Sequence, residues 1–396
     1  MLKPMKPNPG GQLAPEEIVG RDMLVKRMHE ILQRQSLVLT AERRIGKTKT
    51  LDKMRAMYEG SLYFIYQDLE PIRTTGDFAE SVFQQAKPFI PGLAKAGEGI
   101  RRLLKHIKKV DFGGPSLELA VESLEWQHKL EIALAALTTG SHLPVVVQWD
   151  EIPLMLGNIA DTEGQMRAMQ VLDLLRALRH KYPALRVIYT GSIGLHHVIG
   201  RLKRAGYAND PTNDMFLLEV PPLAEQDAVE LARALLAGAE IPVEHPFAMA
   251  RAIALAVDCF PYYIHYLVQE MEWEEGEVTA ATVEKIVNRL LTHDQDLLHF
   301  HHYEERIDTY YPDTDRPLVL AILDAFAGAA EPLTLAEAFN LVKARVVTEE
   351  KDSIRRLLDQ LRRDHYLHQL EDGRYRFRFD IVKRWWQLHR GEEVSA

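Results

Sequence analysis

At 396 residues the chain exceeds the usual size of one core, and a prior of roughly 150 residues per domain points to two or three domains. Hydrophobic residues at 46% and charged residues at 27% are close to globular averages, no apolar run approaches the roughly eighteen residues of a spanning helix, and MLKPMKPNPGGQ lacks a secretory core, so a cytoplasmic protein without a membrane partner is expected. The single cysteine, Cys259, excludes a disulfide framework and a cysteine-based zinc site, and a net charge of -9 argues against coating nucleic acid by bulk attraction while leaving room for a local basic face.

Residues 1–18, with their prolines and glycines, read as a flexible lead-in. From Asp22 a helix is expected with Met23, Leu24, Met28, Ile31 and Leu32 on one side. A short buried strand, Ser36 to Thr40, then feeds straight into AERRIGKT and a helix starting near Lys47. Between residues 76 and 140 the pattern is mostly helical, interrupted by VDFGGPSLELAVE, whose alternation around Gly113-Gly114 suggests a β-hairpin insertion near 109–122. Further strands are expected at SLYFIYQ (61–67), LPVVVQW (143–149), LRVIYT (185–190) and FLLEV (216–220). The segment 164–182 carries Met166, Met169, Val171, Leu172, Leu174, Leu175 and Leu178 at a helical spacing suited to packing on a sheet. Strand and helix alternating over 19–221 predict an α/β fold with a doubly wound parallel sheet.

After Pro221-Pro222 only helices follow, at 225–236, 247–257, 262–271 and 279–291, so 222–292 reads as an all-helical lid. A connecting helix within 293–314, through HFHHYEERIDTYY, leads to three more at 318–326, 335–343 and 352–363. Two short strands, HYLHQL and RYRFRF, are joined by Glu371-Asp372-Gly373, whose Asp-Gly is a hairpin signal. Three helices and a hairpin over 315–392 describe a winged-helix domain.

Phosphate binding needs backbone N–H groups converging on anionic oxygens, a helix N-terminus behind them and one mobile cation. The loop of Ala41, Glu42, Arg43, Arg44, Ile45, Gly46, Lys47, Thr48 and Lys49 offers all three and reads as the cofactor-binding element of a P-loop NTPase. Lys47 would reach the β and γ phosphates, Thr48 would place its hydroxyl on Mg²⁺, and Gly46 would let the backbone approach closely. Ala41 stands where the motif has its first glycine, which costs little if that position has negative φ. The carboxylate partner belongs at the tip of a neighbouring strand: in VVVQWDE, Asp150 would serve the metal and Glu151 would polarise the attacking water as general base. At the end of the next strand Thr190 or Ser192 could position that water or sense the γ phosphate, although either could equally cap a helix. ATP and Mg²⁺ are the cofactors this set predicts.

His299, His301, His302 and Glu304 invite a metal reading, but neighbours one or two apart face different directions on a helix, which makes a polar helix surface the better account. For DNA, the candidate element is the winged helix, with Arg355, Arg356, Arg362 and Arg363 on its third helix and Arg374, Arg376 and Arg378 alternating with Tyr375 and Phe377 on the wing. Acids and bases from Asp315 onward balance, unlike a strongly basic DNA binder, and a packing or partner-docking wing stands beside the DNA reading. Trp385-Trp386 read as core anchors of the last helix.

The boxes IVGRD (18–22), ERRIGKT, WDE, the strand-end TGS, PPLAEQDA and CFPYY (259–263), followed by HYEERIDTYY and RFRFDIVKRWW, occur in an order that resembles the archaeal-type AAA+ ATPases, a group related to the STAND signalling NTPases. The resemblance covers about residues 18–390. It implies Mg-ATP held between the α/β core and the lid, slow hydrolysis, and a switch that changes how the winged helix is presented. It also implies that Pro261 approaches the nucleotide, in a Gly-x-Pro element whose glycine is here Cys259. The alternatives are a DNA-binding regulator or mobile-element helper whose oligomerisation nucleotide controls, and a non-hydrolysing scaffold that docks a protein partner.

Overall fold

The computed structural model describes residues 3–89, 124–191, 194–274, 278–346 and 351–391. The hairpin expected near 109–122 lies outside the described residues. Two compact units are present: Asp22–Ala41 with Lys47–Val220, and Met1–Arg21 with Glu42–Gly46 and Pro221–Ala396.

The first of these, the sheet unit, runs α1 (Asp22–Leu32), β1 (Leu37–Thr40), α2 (Lys47–Met57), β2 (Tyr63–Asp68), α3 (Thr75–Ala86), α4 (Trp126–Gly140), β3 (Val145–Asp150), α5 (Ile152–Thr162), α6 (Gln165–Lys181), β4 (Arg186–Tyr189), α7 (Leu195–Arg204) and β5 (Phe216–Glu219). Its five strands are all parallel in the order β2-β3-β4-β1-β5. The interior strand β3 is buried from Val145 to Trp149, as a strand covered on both faces must be, and its apolar, β-branched sequence follows from that. Trp149 is fully buried, edge-on to Phe78 at 5.4 Å and stacked with Tyr189 at 5.9 Å, while its indole N–H donates to Gln67 Oε1 at 3.0 Å.

On α6 the buried stripe is Ala168, Val171, Leu172, Leu175 and Leu178, the three- and four-residue spacing of one helix face. Met166 lies in the first turn, ahead of that stripe, and is 65% exposed. On α1 the buried residues are Val25, Met28 and Leu32, and Met23, expected on the apolar side, is 76% exposed. Five positions separate Met23 from Met28, about 140° around a helix, so both cannot face one surface.

In the other unit the helices α8 (Glu225–Gly238), α9 (Pro246–Ala256), α10 (Pro261–Met271) and α11 (Ala280–Leu291) precede α12 (His302–Tyr310). Then come α13 (Arg316–Gly328), α14 (Leu335–Lys343), α15 (Lys351–Arg363), an antiparallel hairpin of β6 (Leu367–Gln369) and β7 (Tyr375–Phe377), and α16 (Asp380–Arg390). The helix expected through HFHHYEERIDTYY starts only at His302, because Asp296 and His299 adopt left-handed φ of 45° and 59°, and the Asp296 carboxylate accepts the N–H groups of Phe300 and His301 at 2.7 and 2.8 Å.

An aromatic cluster fills this unit: Phe260, Tyr263, Phe300, Tyr303, Trp385 and Trp386 are all buried, with stacked contacts from Phe260 to Tyr263 and on to Phe300 at 5.3 Å each. Trp386 donates its indole N–H to Asp324 at 2.8 Å. The leading residues, expected to be a flexible lead-in, hydrogen-bond to the helices: Met5 N–H donates to Ala234 O at 2.9 Å, and Asn8 N–H to His265 Nδ1 at 3.1 Å. Burial lowers the His265 pKa to about 4, so the neutral ring can accept that hydrogen bond.

Candidate nucleotide site

Three adjacent strands bring the predicted chemistry together at their carboxyl ends, where ligands bind in open parallel sheets. β1 runs into the phosphate loop, its neighbour β4 ends at Thr190-Gly191, and β3 beyond it ends at Asp150-Glu151. Lys47 opens α2, and its ammonium donates to the Gly191 carbonyl. Thr48 follows, exposed, at a helix N-terminus whose first N–H groups have no intrahelical acceptor. Lys49 turns away, 3.7 Å from Asp52.

The Asp150 carboxylate is held on two sides, by the Thr190 hydroxyl at Oδ1 and the Tyr66 hydroxyl at Oδ2, the latter 3.3 Å away. Burial and the adjacent Asp150 push the Tyr66 hydroxyl well above its ordinary pKa, so it remains a donor. Thr190 is buried at 3% exposure, and what the geometry gives it is the orientation of Asp150. Glu151 takes the left-handed conformation, φ 56° and ψ 33°, at the N-terminus of α5, a strained turn of the kind kept where function requires it. Ser192 lies outside the described residues.

Residues 42–46 of the loop belong to the other unit. Ala41, before them, keeps a negative φ, so the missing first glycine costs no backbone strain. Gly46 has φ +94°, which an L side chain resists; space is available, since a Cβ there would meet only Pro261 Cγ, at 3.9 Å. The same contact puts Pro261 beside the loop. Arg44 also adopts a left-handed φ of 67°, with its guanidinium 4.5 Å from the Tyr262 ring, and Arg43 is exposed.

Two arginines fasten this segment, neither of them singled out as a site residue from the sequence: Arg21, buried and part of the IVGRD box, and Arg306, half-buried and within HYEERIDTYY. Arg21 donates to Ile45 O and Pro221 O, both at 2.8 Å, and burial lowers its pKa to about 10 against the pull of Asp227. Arg306 donates to Glu42 Oε1 at 2.9 Å. The Glu42 side chain is 2% exposed; burial alone would raise its pKa, but Arg306 and His302 hold it well below the carboxylate range.

Among solved structures, the Walker-type ATPase paby2304 of Pyrococcus abyssi matches with a TM-score of 0.62 at 17% identity, over 93% of this chain and 95% of its own. The fold is that of a Walker-type ATPase. The ORC2 protein of Aeropyrum pernix, solved as ADPNP-ADP complexes, matches with a TM-score of 0.50 at 14% identity, over 94% of each chain. No family model and no curated protein matches the sequence. With the Walker-type core goes a helical C-terminal region, as expected from the sequence.

The remaining candidates lie in that region. His302 is buried, 3.6 Å from Glu42, and so departs from the polar-surface expectation. His301 sits 3.8 Å from Asp296, and Glu304 pairs with His389 at 2.6 Å. Cys259 is buried with φ +58°, the left-handed region where glycine is favoured. Arg376 is exposed between buried Tyr375 and Phe377, but Arg374, Arg355 and Arg356 are each paired with an aspartate, namely Asp372, Asp352 and Asp315. Arg378 lies beside His365 Nδ1 at 2.9 Å.

A sequence signal for Arg306 existed in its spacing: it stands four after His302 and three after Tyr303, both buried, and hence on the inward face of α12.

Proposed function

We propose that the chain binds Mg-ATP on the loop Ala41 to Lys49, hydrolyses it slowly, and uses the nucleotide state to change how its C-terminal region, read as a winged helix, is presented. One observation carries the reading: Lys47 at the start of α2 extends to the end of β4, next to the strand tip that holds Asp150 and Glu151. The residues present fit the cofactor. Backbone N–H groups at a helix start and a lysine suit phosphates, and a carboxylate oriented by Thr190 and Tyr66 suits a water of the Mg²⁺ shell. Bound Mg²⁺ would supply charge neutralisation at the phosphates.

In this reading Lys47 and the loop N–H groups bind phosphate, Thr48 and Asp150 serve the metal, and Glu151 accepts the proton of the attacking water. Thr190 positions Asp150, and Ser192 is assigned to the γ phosphate side. The likeness to ATPases supports the fold, and the chemistry rests on these side chains.

Calorimetric titration of Mg-ATP and a phosphate-release assay test the proposal. Lys47→Ala is expected to abolish measurable ATP binding. Glu151→Gln should keep binding and lower turnover by about 10²–10⁴-fold, the range of a lost general base. Unchanged binding in Lys47→Ala would sink the site assignment. ATP that stays bound to the wild type without phosphate release would favour the non-hydrolysing scaffold. DNA contact through Arg376 and its neighbours would require surface ion pairs to open, and gel shifts at two salt concentrations decide it.

A further inference from the structure

Glu42 occupies an unusual place for a buried carboxylate: a loop built to bind anions. Its Oε1 accepts from the N–H of Arg43 at 2.9 Å and from Arg306 Nη1 at 2.9 Å, while Oε2 is buried with no hydrogen-bond partner. Nothing about phosphate binding calls for a negative charge here. What the charge does is hold Arg306.

Arg306 carries the contact onward. Its Nη2 donates to Asp364 O at 2.8 Å, and its guanidinium lies 5.8 Å from the ring of Tyr303 and 5.2 Å from that of Tyr366. The Asp364 side chain accepts from the Tyr311 hydroxyl, and the Tyr366 hydroxyl donates to Tyr303 O. Tyr366 immediately precedes β6, and its carbonyl accepts the Arg378 N–H at 2.8 Å, just past β7. A set of buried and part-buried polar contacts therefore runs from Glu42, through one guanidinium, to the residues that flank the two strands of the C-terminal hairpin.

A buried ion pair is poor evidence for stability but good at selecting one arrangement, because any other leaves a charge without its partner in a dry environment. Arginine suits that role, since its planar fork bonds a loop carboxylate with one nitrogen and a hairpin-side carbonyl with another. Resting on the switch reading above, we infer that Glu42 and Arg306 are the positioning pair through which nucleotide occupancy of the phosphate loop reaches the β6–β7 hairpin. A shift of the loop backbone moves the Glu42 carboxylate, and Arg306 must follow or lose its counter-charge.

The test is amide hydrogen exchange over Leu367–Phe377 in the full chain, without nucleotide and with Mg-ATP or Mg-ADP at concentrations saturating for each protein. Arg306→Ala alone strands a buried carboxylate and can unfold the region. The informative variant is therefore the double Glu42→Gln, Arg306→Met, which removes both charges at similar volume. In the wild type, hairpin exchange should change by at least about fivefold on nucleotide binding, the lower end of ordinary coupling between sites. In the folded double variant the change should fall to within about twofold of none while bound nucleotide is still detected by calorimetry. A double variant that responds like the wild type would overturn the coupling role and leave the switch reading standing. A wild-type hairpin indifferent to bound nucleotide would remove the switch reading, and the pair's role with it.

Discussion

The two units of the chain bury different things. The sheet unit is held by apolar strands and by aromatic contacts around Trp149, and its ion pairs are buried at the cation: Lys53, Lys129 and Arg179 are inside, while their partners Asp22, Glu80 and Asp214 keep more exposure. The C-terminal unit also has an aromatic core, yet in its pairs of Glu42 with Arg306 and of Asp324 with Arg390 the carboxylate is the deeper member. Apolar packing tolerates small rearrangements, whereas a buried charge tolerates only the geometry that neutralises it. The contrast teaches that, in the region expected to respond to nucleotide, the most deeply buried members of these ion pairs are carboxylates that depend on an arginine partner.

The sharpest way to break that contrast is Arg306→Ala. Removing one partner of a buried pair should cost about 3–5 kcal/mol, read as a loss of melting temperature in calorimetry. The double replacement Glu42→Gln, Arg306→Met should recover most of it, and equal destabilisation by single and double variants would refute the charge argument. In the sheet unit, Trp149→Phe leaves Gln67 Oε1 without its indole donor inside the core and should cost about 1–3 kcal/mol in the same measurement.

Acidity separates two carboxylates of the C-terminal unit. Glu42 has a folded-state pKa held below its unfolded value, so its stabilisation is present at neutral pH and is lost as pH falls below the ordinary carboxylate range. Asp258 behaves oppositely: burial, with Asp380 nearby, raises it to about 6. Its contribution is present below about pH 4 and is lost as pH rises towards 6. Asp258→Asn keeps an acceptor for the Ile381 N–H, at 2.8 Å in the wild type, and should stabilise the protein at pH 7 by about 1–2 kcal/mol while leaving it unchanged at pH 4. Thermal melts across that range would refute this if the variant were less stable throughout. The smallest effect is expected at the surface: Arg356→Ala breaks a pair with Asp315 that is bidentate but half exposed, and should change stability by about 1 kcal/mol or less in denaturant titration.

Much of the sheet unit was legible because period and composition report burial directly. The strand at 143–149 read as interior from its β-branched run, and the loop read from its lysine and threonine before a helix. Met23 and Met166 are apolar yet exposed, because hydrophobicity by itself does not say whether the angle around the helix brings a residue onto the buried face. The left-handed φ of Arg44 and Glu151 could not be read, since neither is glycine and nothing local announces the conformation, whereas Cys259 stands where the family that the chain resembles has glycine. Arg306 was the larger omission. Its partner lies 264 positions away, and a pairing over that separation leaves no periodic trace in either segment.

Five residues, Glu42–Gly46, group with chain that follows Pro221, although they are threaded between the first strand and second helix of the sheet unit. A recombinant fragment ending at Val220 would keep Lys47, Thr48, Asp150 and Glu151 yet carry Glu42 without Arg306 and Ile45 without the framework that positions Arg21. Sequence contiguity is thus a misleading guide to modularity here: a fragment cut at Val220 loses the contacts that Pro221 and Arg306 give to Arg21 and Glu42.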